Sequence, residues 1–412
     1  MRMDAVLERC AGLDVHQETV VACVVSGPLD RKPQQEIRTF GTTTKELLQL
    51  SDWLTEKKCT HIAMESTGVY WKAVWNILEG DFTLVLGNAK KIKNVPGRKT
   101  DVKDAAWIAS LLRCGLIEPS FVPPVDIRDL RDLTRYRRKL QGQVTSEKNR
   151  IHKILQDANI KLTTYVSDLF GKSGLALLDA VVNGEVLDPD SVKGMVFTQL
   201  KKKVPELIEA LNGRVRIHHR FMIRRHLEHM RQVEEHIEAL QGEIDRLLKP
   251  YRKEMDLLLT IPGIQEDAAA SILAEIGTDM SVFPSENHLA SWAAVCPGNN
   301  ESAGKKRSSK TNKGNKGLKA VLCQAAWAAS KTKNTRIAAF YSRIVKRRGP
   351  KKAAMATAHL ILKICFFMLK DRMAYQELGS NYLPKKEKGL DYWVSKIKSM
   401  GYSIQIQDNH PA

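Results

Sequence analysis

Short apolar runs alternate with amphipathic stretches over the first quarter of the chain. Runs rich in Val, Ile and Ala that end in polar turns are typical of strands, whereas leucines at three- and four-residue spacing predict helices. Strands followed by alternating helix and strand indicate a mixed α/β sheet with helices packed on it. The predicted elements are strands at 9–15, 19–25, 38–40, 60–64 and 82–86, a helix at 42–57, and a helix at 69–78 that the turn Ser66-Thr67-Gly68 caps.

Four acidic residues lie at the ends of predicted strands or at the start of a predicted helix. Asp14 ends the first predicted strand, and Glu65 follows the strand 60–64. Asp101 and Asp104 lie three residues apart at the start of a helical pattern, so both carboxylates project from one face. Acids in a first helical turn also complement the helix dipole, which is the simpler explanation for the last two. Ligand sites of such sheets lie beyond the strand ends, which favours a shared site.

The four acids predict a divalent metal site if the two strands and the helix are neighbours, as in a ribonuclease-H-like sheet. Carboxylates this close repel one another and need a cation to stay ionised. Oxygen ligands select Mg²⁺ or Mn²⁺, and two such ions can stabilise both oxygens of a reacting phosphodiester. His16 follows Asp14 closely, but a lone turn histidine is more often a surface residue than a ligand, so the predicted site does not include it.

Two long helices are predicted after Pro123-Pro124. The stretch 126–160 is strongly basic, and 230–247 carries a regular heptad seam that Pro250 terminates. The seam predicts helix pairing, either antiparallel within one chain or between subunits, and the pattern leaves both open. The predicted domains are 1–125, a coiled-coil region at 126–252 with a helical insertion at 161–212, a C-terminal domain at 253–375, and a tail at 376–412.

Residues 256–277 predict two helices joined by the turn Ile261-Pro262-Gly263-Ile264. In a helix-hairpin-helix the amides of such a turn hold a DNA phosphate, so Gly263 is a predicted nucleic-acid contact. A plain helical hairpin without DNA contact explains the same pattern.

The charge of the chain predicts a polyanionic partner. The formal net charge is +19, and residues 303–352 contain 16 Lys or Arg and no acid. Basic ribosomal and membrane-surface proteins share such an excess, so charge alone does not select an enzyme.

The apolar stretch 353–369 is interrupted by His359 and Lys363, and it predicts a core helix too short to span a bilayer. The expected location of the protein is the cytoplasm, in association with the nucleoid. The side chains predicted to contact nucleic acid are Lys305, Lys306, Arg307, Lys310, Lys313, Lys316, Arg135 and Arg138.

Three N-terminal motifs resemble those of the bacterial insertion-sequence transposases of the DEDD type. They are Gly12-Leu13-Asp14-Val15-His16, Glu65-Ser66-Thr67-Gly68-Val69-Tyr70-Trp71 and Lys99-Thr100-Asp101-Val102-Lys103-Asp104-Ala105. The second half is similar to the C-terminal domain of that family in Ile261-Pro262-Gly263-Ile264, Ser302-Ala303-Gly304 and Lys313-Gly314-Asn315-Lys316. The resemblance covers residues 8–375.

The resemblance implies a RuvC-like domain, a coiled coil and a small transposase domain. It further implies a serine-dependent recombinase that a structured bridge RNA guides to donor and target double-stranded DNA. By position, Ser302 matches the nucleophile, and Asp14, Glu65, Asp101 and Asp104 match the metal-binding acids. Ala303 stands between this serine and Gly304, where the family often has Ser-Gly directly.

The residues alone do not single out Ser302. A serine hydroxyl needs a base or a metal to become a strong nucleophile, and its sequence neighbours supply no base. Ser308 and Ser309 are near rivals. Strand exchange between two duplexes requires at least two active sites, hence a homodimer or homotetramer. Two alternatives stay open, a metal-dependent nuclease of the Holliday-junction-resolvase type and a non-catalytic nucleic-acid scaffold.

Overall fold

The computed structural model describes residues 4–66, 68–95, 104–297, 300–302, 305–308, 311, 314–382 and 390–403. The chain forms two compact units, residues 1–123 and residues 124–412.

The first unit is built on a five-stranded mixed sheet, which confirms the predicted α/β fold class. Its central strand pairs antiparallel with the next strand of the chain and parallel with the fourth. The spatial order is β3-β2-β1-β4-β5. The strands are β1 Arg9–Val15, β2 Thr19–Ser26, β3 Gln34–Gly41, β4 His61–Glu65 and β5 Thr83–Gly87.

Helices cover both faces of this sheet. Successive side chains of a strand point to opposite faces, so β1 contributes Ala11 and Leu13 to one core and Cys10 to the other. The first core includes α1 and α2, and the second is formed against α4. The helices are α1 Thr44–Glu56, α2 Trp71–Leu78, α3 Ala89–Lys93 and α4 Asp104–Arg113.

Two local predictions for this unit are wrong. Strand β3 has eight residues, more than twice the predicted length, because it is an edge strand whose mostly exposed side chains leave little apolar pattern. The predicted cap in the turn Ser66-Thr67-Gly68 does not start α2, which begins at Trp71. Tyr70 occupies the N-cap position and makes no side-chain capping bond.

Helix α4 lies directly on β1 because Gly12 has no side chain. A Cβ atom built on Gly12 would lie 2.3 Å from the backbone nitrogen of Ala109 and 2.4 Å from the carbonyl oxygen of Ala105. The Cys10 thiol donates to the Ala109 carbonyl oxygen at 3.6 Å. Glycine at this position therefore sets the distance between the helix and the sheet.

In the second unit, the two long helices pair antiparallel within the chain. The carboxylate of Glu147 contacts Nδ1 of His226 at 2.6 Å, and further along the pair Asp157 contacts His219 at 2.8 Å. The heptad residues Met230 and Val233 are buried in the shared core. The helices and the insertion between them are α5 Val125–Asp157, α6 Lys172–Asn183, α7 Pro189–Met195, α8 Val204–Leu211 and α9 Ile217–Leu248.

The rest of the second unit is mainly helical. Apolar residues of α15 pack against α10, α12, α13 and α14, whose ranges follow. Helix α15 has 22 residues and extends beyond the predicted stretch 353–369 at both ends. By length and composition alone it could cross a membrane, but half of its most apolar part is buried inside the protein, as predicted for a core helix. The elements are α10 Arg252–Leu259, α11 Glu266–Ile276, α12 Glu286–Trp292, β6 Asn300–Ser302, β7 Lys305–Ser308, α13 Lys316–Ala329, α14 Arg336–Arg348, α15 Pro350–Asp371 and α16 Leu390–Ser399.

The substitution Gly12→Ala should lower the free energy of unfolding by about 1–3 kcal/mol, because the new methyl group meets backbone atoms that cannot move independently of α4. Chemical denaturation measures the change. The matched control is Gly142→Ala in the interior of α5, where an added Cβ meets nothing within 4 Å. That variant should be as stable as the wild type or more stable, by up to about 1 kcal/mol. Equal effects of both changes would contradict the close-packing argument.

Candidate functional site

Three of the four predicted acids lie at one edge and on one face of the sheet. Asp14 is near the end of β1 and Glu65 ends β4, the parallel neighbour, in which Met64 pairs with Leu13. Alternation places Asp14 on the same face as Cys10 and Gly12, which is the face that α4 covers. Asp104 is the first residue of α4. Close packing at Gly12 thus brings the start of this helix to the strand ends.

The pKa of Asp14 is shifted by burial and by the charged groups around it. Burial raises the pKa of the Asp14 carboxyl above its ordinary value of 3.8, and the negative charges of Asp104 and Glu65 raise it further. His16 acts in the opposite direction, since its Nε2 atom lies 3.2 Å from Oδ2 of Asp14. The net direction remains upward. A cation at this edge would relieve the repulsion that the carboxylates impose on one another.

The donor chemistry of this edge suits a hard divalent cation, although the site is incomplete within the described residues. Carboxylate oxygens are the ligands that Mg²⁺ and Mn²⁺ prefer. Among the residues that the structure describes, no three acids, histidines or cysteines are close enough together to hold a metal ion. Asp101, the fourth predicted ligand, lies outside the described residues.

His16, which is not among the predicted site residues, contacts Asp14. Asp14 and His16 are two residues apart in an extended segment, which puts both side chains on one side, and this spacing was the signal available in the sequence. Two hydrogen bonds also hold the adjoining loop at Gln17 in place. The Tyr70 hydroxyl donates to Oε1 of Gln17 at 3.1 Å, and the Thr42 hydroxyl donates to the Gln17 carbonyl oxygen at 2.8 Å.

Ser302 ends the first strand of a small antiparallel hairpin in the second unit. Its backbone is paired with Lys305, and Glu301 is paired with Lys306. A further bridge joins Pro297 to Thr311 below the hairpin. The predicted basic contacts Lys305, Lys306 and Arg307 therefore follow Ser302 on the returning strand, while Lys310 and Lys313 lie outside the described residues and Lys316 begins α13.

The chain that leaves this hairpin is anchored by a buried carboxylate. Asn315 caps α13 by accepting from the Leu318 amide at 3.0 Å, and its Nδ2 atom donates to Oε2 of Glu275 at 2.6 Å. Glu275 belongs to α11 and its side chain is 4% exposed. Arg135 of α5 donates to both oxygens of this carboxylate, at 2.7 and 2.8 Å. One carboxylate thus joins α5, α11 and the start of α13.

The predicted nucleic-acid contacts Arg135 and Arg138 both have partners inside the protein. Besides the bonds of Arg135, Nη1 of Arg138 donates to the carbonyl oxygen of Gly317 at 2.6 Å. Arg131, one turn earlier, donates to the carbonyl oxygens of Ala274 and Glu275. These arginines hold α5 against α11 and α13, and their contact with nucleic acid stays a prediction.

Gly263 serves the packing of the helix-hairpin-helix turn. Its φ of 86° lies in the left-handed region, and a Cβ atom there would lie 2.4 Å from the backbone nitrogen of Ala329. The turn therefore packs closely on the end of α13. The predicted phosphate contact through its amides is compatible with this position but is not tested by it.

The raised pKa of Asp14 predicts a pH-dependent stability cost in metal-free protein. Below the ordinary value of 3.8, both the folded and the unfolded chain carry a neutral Asp14. As the pH rises through the raised folded pKa, ionisation costs the folded state more than the unfolded one, so the wild type loses stability relative to Asp14→Asn. Chemical denaturation in a chelating buffer between about pH 3 and 7 measures this growing difference. The control Asp52→Asn removes the same charge from the exposed face of α1, and a pH-independent effect of Asp14→Asn would contradict the prediction.

Comparison with known proteins agrees with both halves of the chain. Residues 11–160 match the model of a DEDD-type transposase domain, described as a transposase, and residues 255–342 match the model described as the transposase IS116/IS110/IS902 family. No curated protein matches the chain. The two matched segments cover more than half of the 412 residues, and both models name the same group. The chain therefore belongs to the IS110 family of transposases and is a DNA transposase with an N-terminal RuvC-like DEDD domain.

Proposed function

We propose that the protein cleaves and exchanges DNA strands through a serine nucleophile, Ser302, assisted by a divalent cation at the acidic edge of the sheet. The observation that supports the proposal most directly is that Asp14 and Glu65 end adjacent parallel strands and Asp104 begins the helix packed on them, with the pKa of Asp14 raised by burial and further by the other two charges. Burial and mutual repulsion of carboxylates cost stability, which is expected where the groups serve chemistry.

The acids Asp14, Glu65, Asp101 and Asp104 would hold the cation, Mg²⁺ or Mn²⁺. When bound, such an ion supplies positive charge to the oxygens of the reacting phosphodiester. Helix α4 and the strand ends keep the described carboxylates of this set together, and His16 holds the Asp14 carboxylate through its Nε2 atom.

Ser302 would form a covalent bond with the DNA. Its Oγ atom attacks the phosphorus, the new Ser–O–P bond forms, and the bond from phosphorus to the leaving deoxyribose oxygen breaks. The serine hydroxyl loses its proton and the leaving oxygen gains one, so the step needs no oxidant or reductant. Energy of the phosphodiester is kept in the phosphoserine bond, which permits rejoining to another strand.

The basic residues that follow Ser302 would bind the backbone of the DNA. Lys305, Lys306 and Arg307 lie on the returning strand of the hairpin, and the chain then continues through Lys310, Lys313 and Lys316. Cations near a reacting phosphate stabilise its developing charge. Each neutralised phosphate also makes binding more sensitive to salt.

The resemblance adds two further parts to this proposal. A structured guide RNA would pair with donor and target DNA, and the net charge of +19 suits a second polyanion. A homodimer or homotetramer would supply the two or more active sites that strand exchange requires.

The substitution Ser302→Ala should abolish strand cleavage and the covalent protein–DNA adduct, because the nucleophilic oxygen is gone. Denaturing gels of reactions with labelled DNA measure both. The matched control is Ser308→Ala, which removes the same hydroxyl from the other strand of the hairpin and should leave both signals intact. Unchanged cleavage by Ser302→Ala would instead identify a metal-dependent nuclease in which water attacks.

A companion variant tests the acids separately. Asp101→Asn combined with Asp104→Asn should abolish recombination while DNA binding, measured by gel shift, is kept. Retained recombination would end the metal hypothesis without affecting the serine one.

Sequencing of the nucleic acid that co-purifies with the protein should reveal one discrete structured RNA if guidance is correct. The enriched RNA should contain segments complementary to the exchanged DNA strands. Random fragments only would show that charge alone explains the association, and would contradict guidance while leaving the serine chemistry standing.

A further inference from the structure

The inserted helices between α5 and α9 line an open pocket that lies outside both segments matched by the family models. Its volume is about 530 Å³, within the range of about 300–1,000 Å³ that is usual for small-ligand sites. Its walls come from the end of α6, from α8 and from the start of α9. The residues that matter for its chemistry are Val181, Gly184, Ile208, Val215 and Arg220.

Arg220 has no partner within the part of the chain that the structure describes. Its Nε atom is fully buried and makes no hydrogen bond, and its guanidinium forms no ion pair there. One turn later on α9, Arg224 behaves as a structural arginine usually does, donating to the carbonyl oxygen of Val182 and to Oδ1 of Asn183. A buried donor that is left unpaired costs stability, and an external acceptor at this position would remove that cost.

The fold makes room for this guanidinium. Gly184 ends α6 in the left-handed conformation, with a φ of 75°. A Cβ atom on Gly184 would lie 2.6 Å from Nη1 of Arg220, so the guanidinium lies directly against the helix end in the space that glycine leaves open. The cation therefore has a defined position at the wall of the pocket.

The remaining walls select more than a bare anion. Val181, Ile208 and Val215 are apolar and belong to the core of the insertion or pack against it. Two exposed carboxylates, Glu185 and Glu209, also line the pocket without pairing with Arg220, and they can accept from amino or hydroxyl groups. The complementary ligand carries an anionic group, a flat apolar part and hydrogen-bond donors.

Exposed cations adjoin the pocket in sequence. Arg214 lies between two lining residues, Gly213 and Val215, and Lys201, Lys202 and Lys203 immediately precede α8. Such a rim attracts a polyanion, and the established substrate of the protein is one.

We propose that this pocket binds an unpaired nucleotide of a nucleic-acid strand. The phosphate binds Arg220, the base packs against the Val181, Ile208 and Val215 wall, and the carboxylates of Glu185 and Glu209 accept from amino or sugar hydroxyl groups. A free phosphate would leave the apolar wall unused, and a base-paired duplex would keep its bases stacked away from it. The shared ligand chemistry is a nucleoside phosphate, which single-stranded DNA, RNA or a free nucleotide can supply.

Photocrosslinking of the full-length protein tests the proposal. The probes are single-stranded DNA and RNA oligonucleotides of eight residues that carry 5-bromouracil, and mass spectrometry maps the crosslinked peptides. The wild type should crosslink within residues 181–220. Arg220→Leu removes the cation but keeps an apolar wall, and it should lower this crosslink about tenfold.

The matched control is Arg225→Leu on the same helix. Arg225 pairs with Glu228 at 2.8 Å and does not line the pocket, so this variant removes the same charge without touching the proposed site. Its crosslink within 181–220 should equal that of the wild type. An equal loss in both variants would reduce the effect to net charge and overturn the proposal.

A second variant guards against misfolding of the first. Ile208→Trp fills the pocket while keeping Arg220, and it should also lose the crosslink with an unchanged circular dichroism spectrum. A retained crosslink in this variant, or no crosslink within 181–220 of the wild type, would overturn the proposal. Crosslinking that uridine monophosphate abolishes at equal phosphate concentration would identify the free nucleotide as the source, and crosslinking that it leaves intact would identify the strand.

Discussion

The contact of α4 with β1 at Gly12 is the constraint on which the N-terminal site depends. The helix backbone lies so close to the strand that no side chain fits between them, and both the Ala105 carbonyl and the Ala109 amide line the contact. Asp104 is the residue before Ala105, so the distance of its carboxylate from Asp14 and Glu65 follows from the same contact. The arrangement of the acids at the strand ends is therefore set by Gly12, two positions before Asp14, which has no side chain.

The second unit has a comparable centre in Glu275. Its buried carboxylate receives Arg135 and Asn315, so that α5, α11 and the start of α13 meet at one pair of oxygens. Removing Arg135 would weaken the charge compensation of this carboxylate without ending it, because Nε of Arg131 also lies 3.4 Å from Oε2 of Glu275. Because Asn315 lies shortly after the Ser302 hairpin, the position of the hairpin base is linked to the first long helix through this network.

The sequence predicted the sheet and its acidic edge because both depend on local pattern. Apolar runs located β1, β2, β4 and β5 to within a few residues, and Asp14 and Glu65 stood at their ends. The length of β3 was missed, since an edge strand is held by backbone hydrogen bonds that leave no apolar signature. The extent of α15 was missed for another reason, because its first turn is basic and falls outside the apolar run.

Partners that are distant in sequence were out of reach of pattern reasoning. No sequence pattern near Arg135 or Arg138 indicates that Glu275 and the Gly317 carbonyl oxygen are their partners. The sequence therefore predicts contact of both arginines with an external polyanion. The pocket around Arg220 was missed likewise, because its walls come from three separate helices whose mutual placement only the fold determines. The number of Lys and Arg residues can be counted from the sequence, but only the tertiary structure shows which of them already have partners inside the protein.

The antiparallel return of α9 along α5 gives the second unit a fixed internal length. About 20 residues of α5 separate Arg138, beside the start of α13, from Asp157 at the entrance to the insertion, which is about 30 Å of helix. Because paired helices resist stretching, the pair of α5 and α9 keeps this distance constant. This distance changes only when residues are added to or deleted from both helices together. The spacing between the serine hairpin and the inserted helices therefore depends on the lengths of α5 and α9 and not on the identity of their side chains.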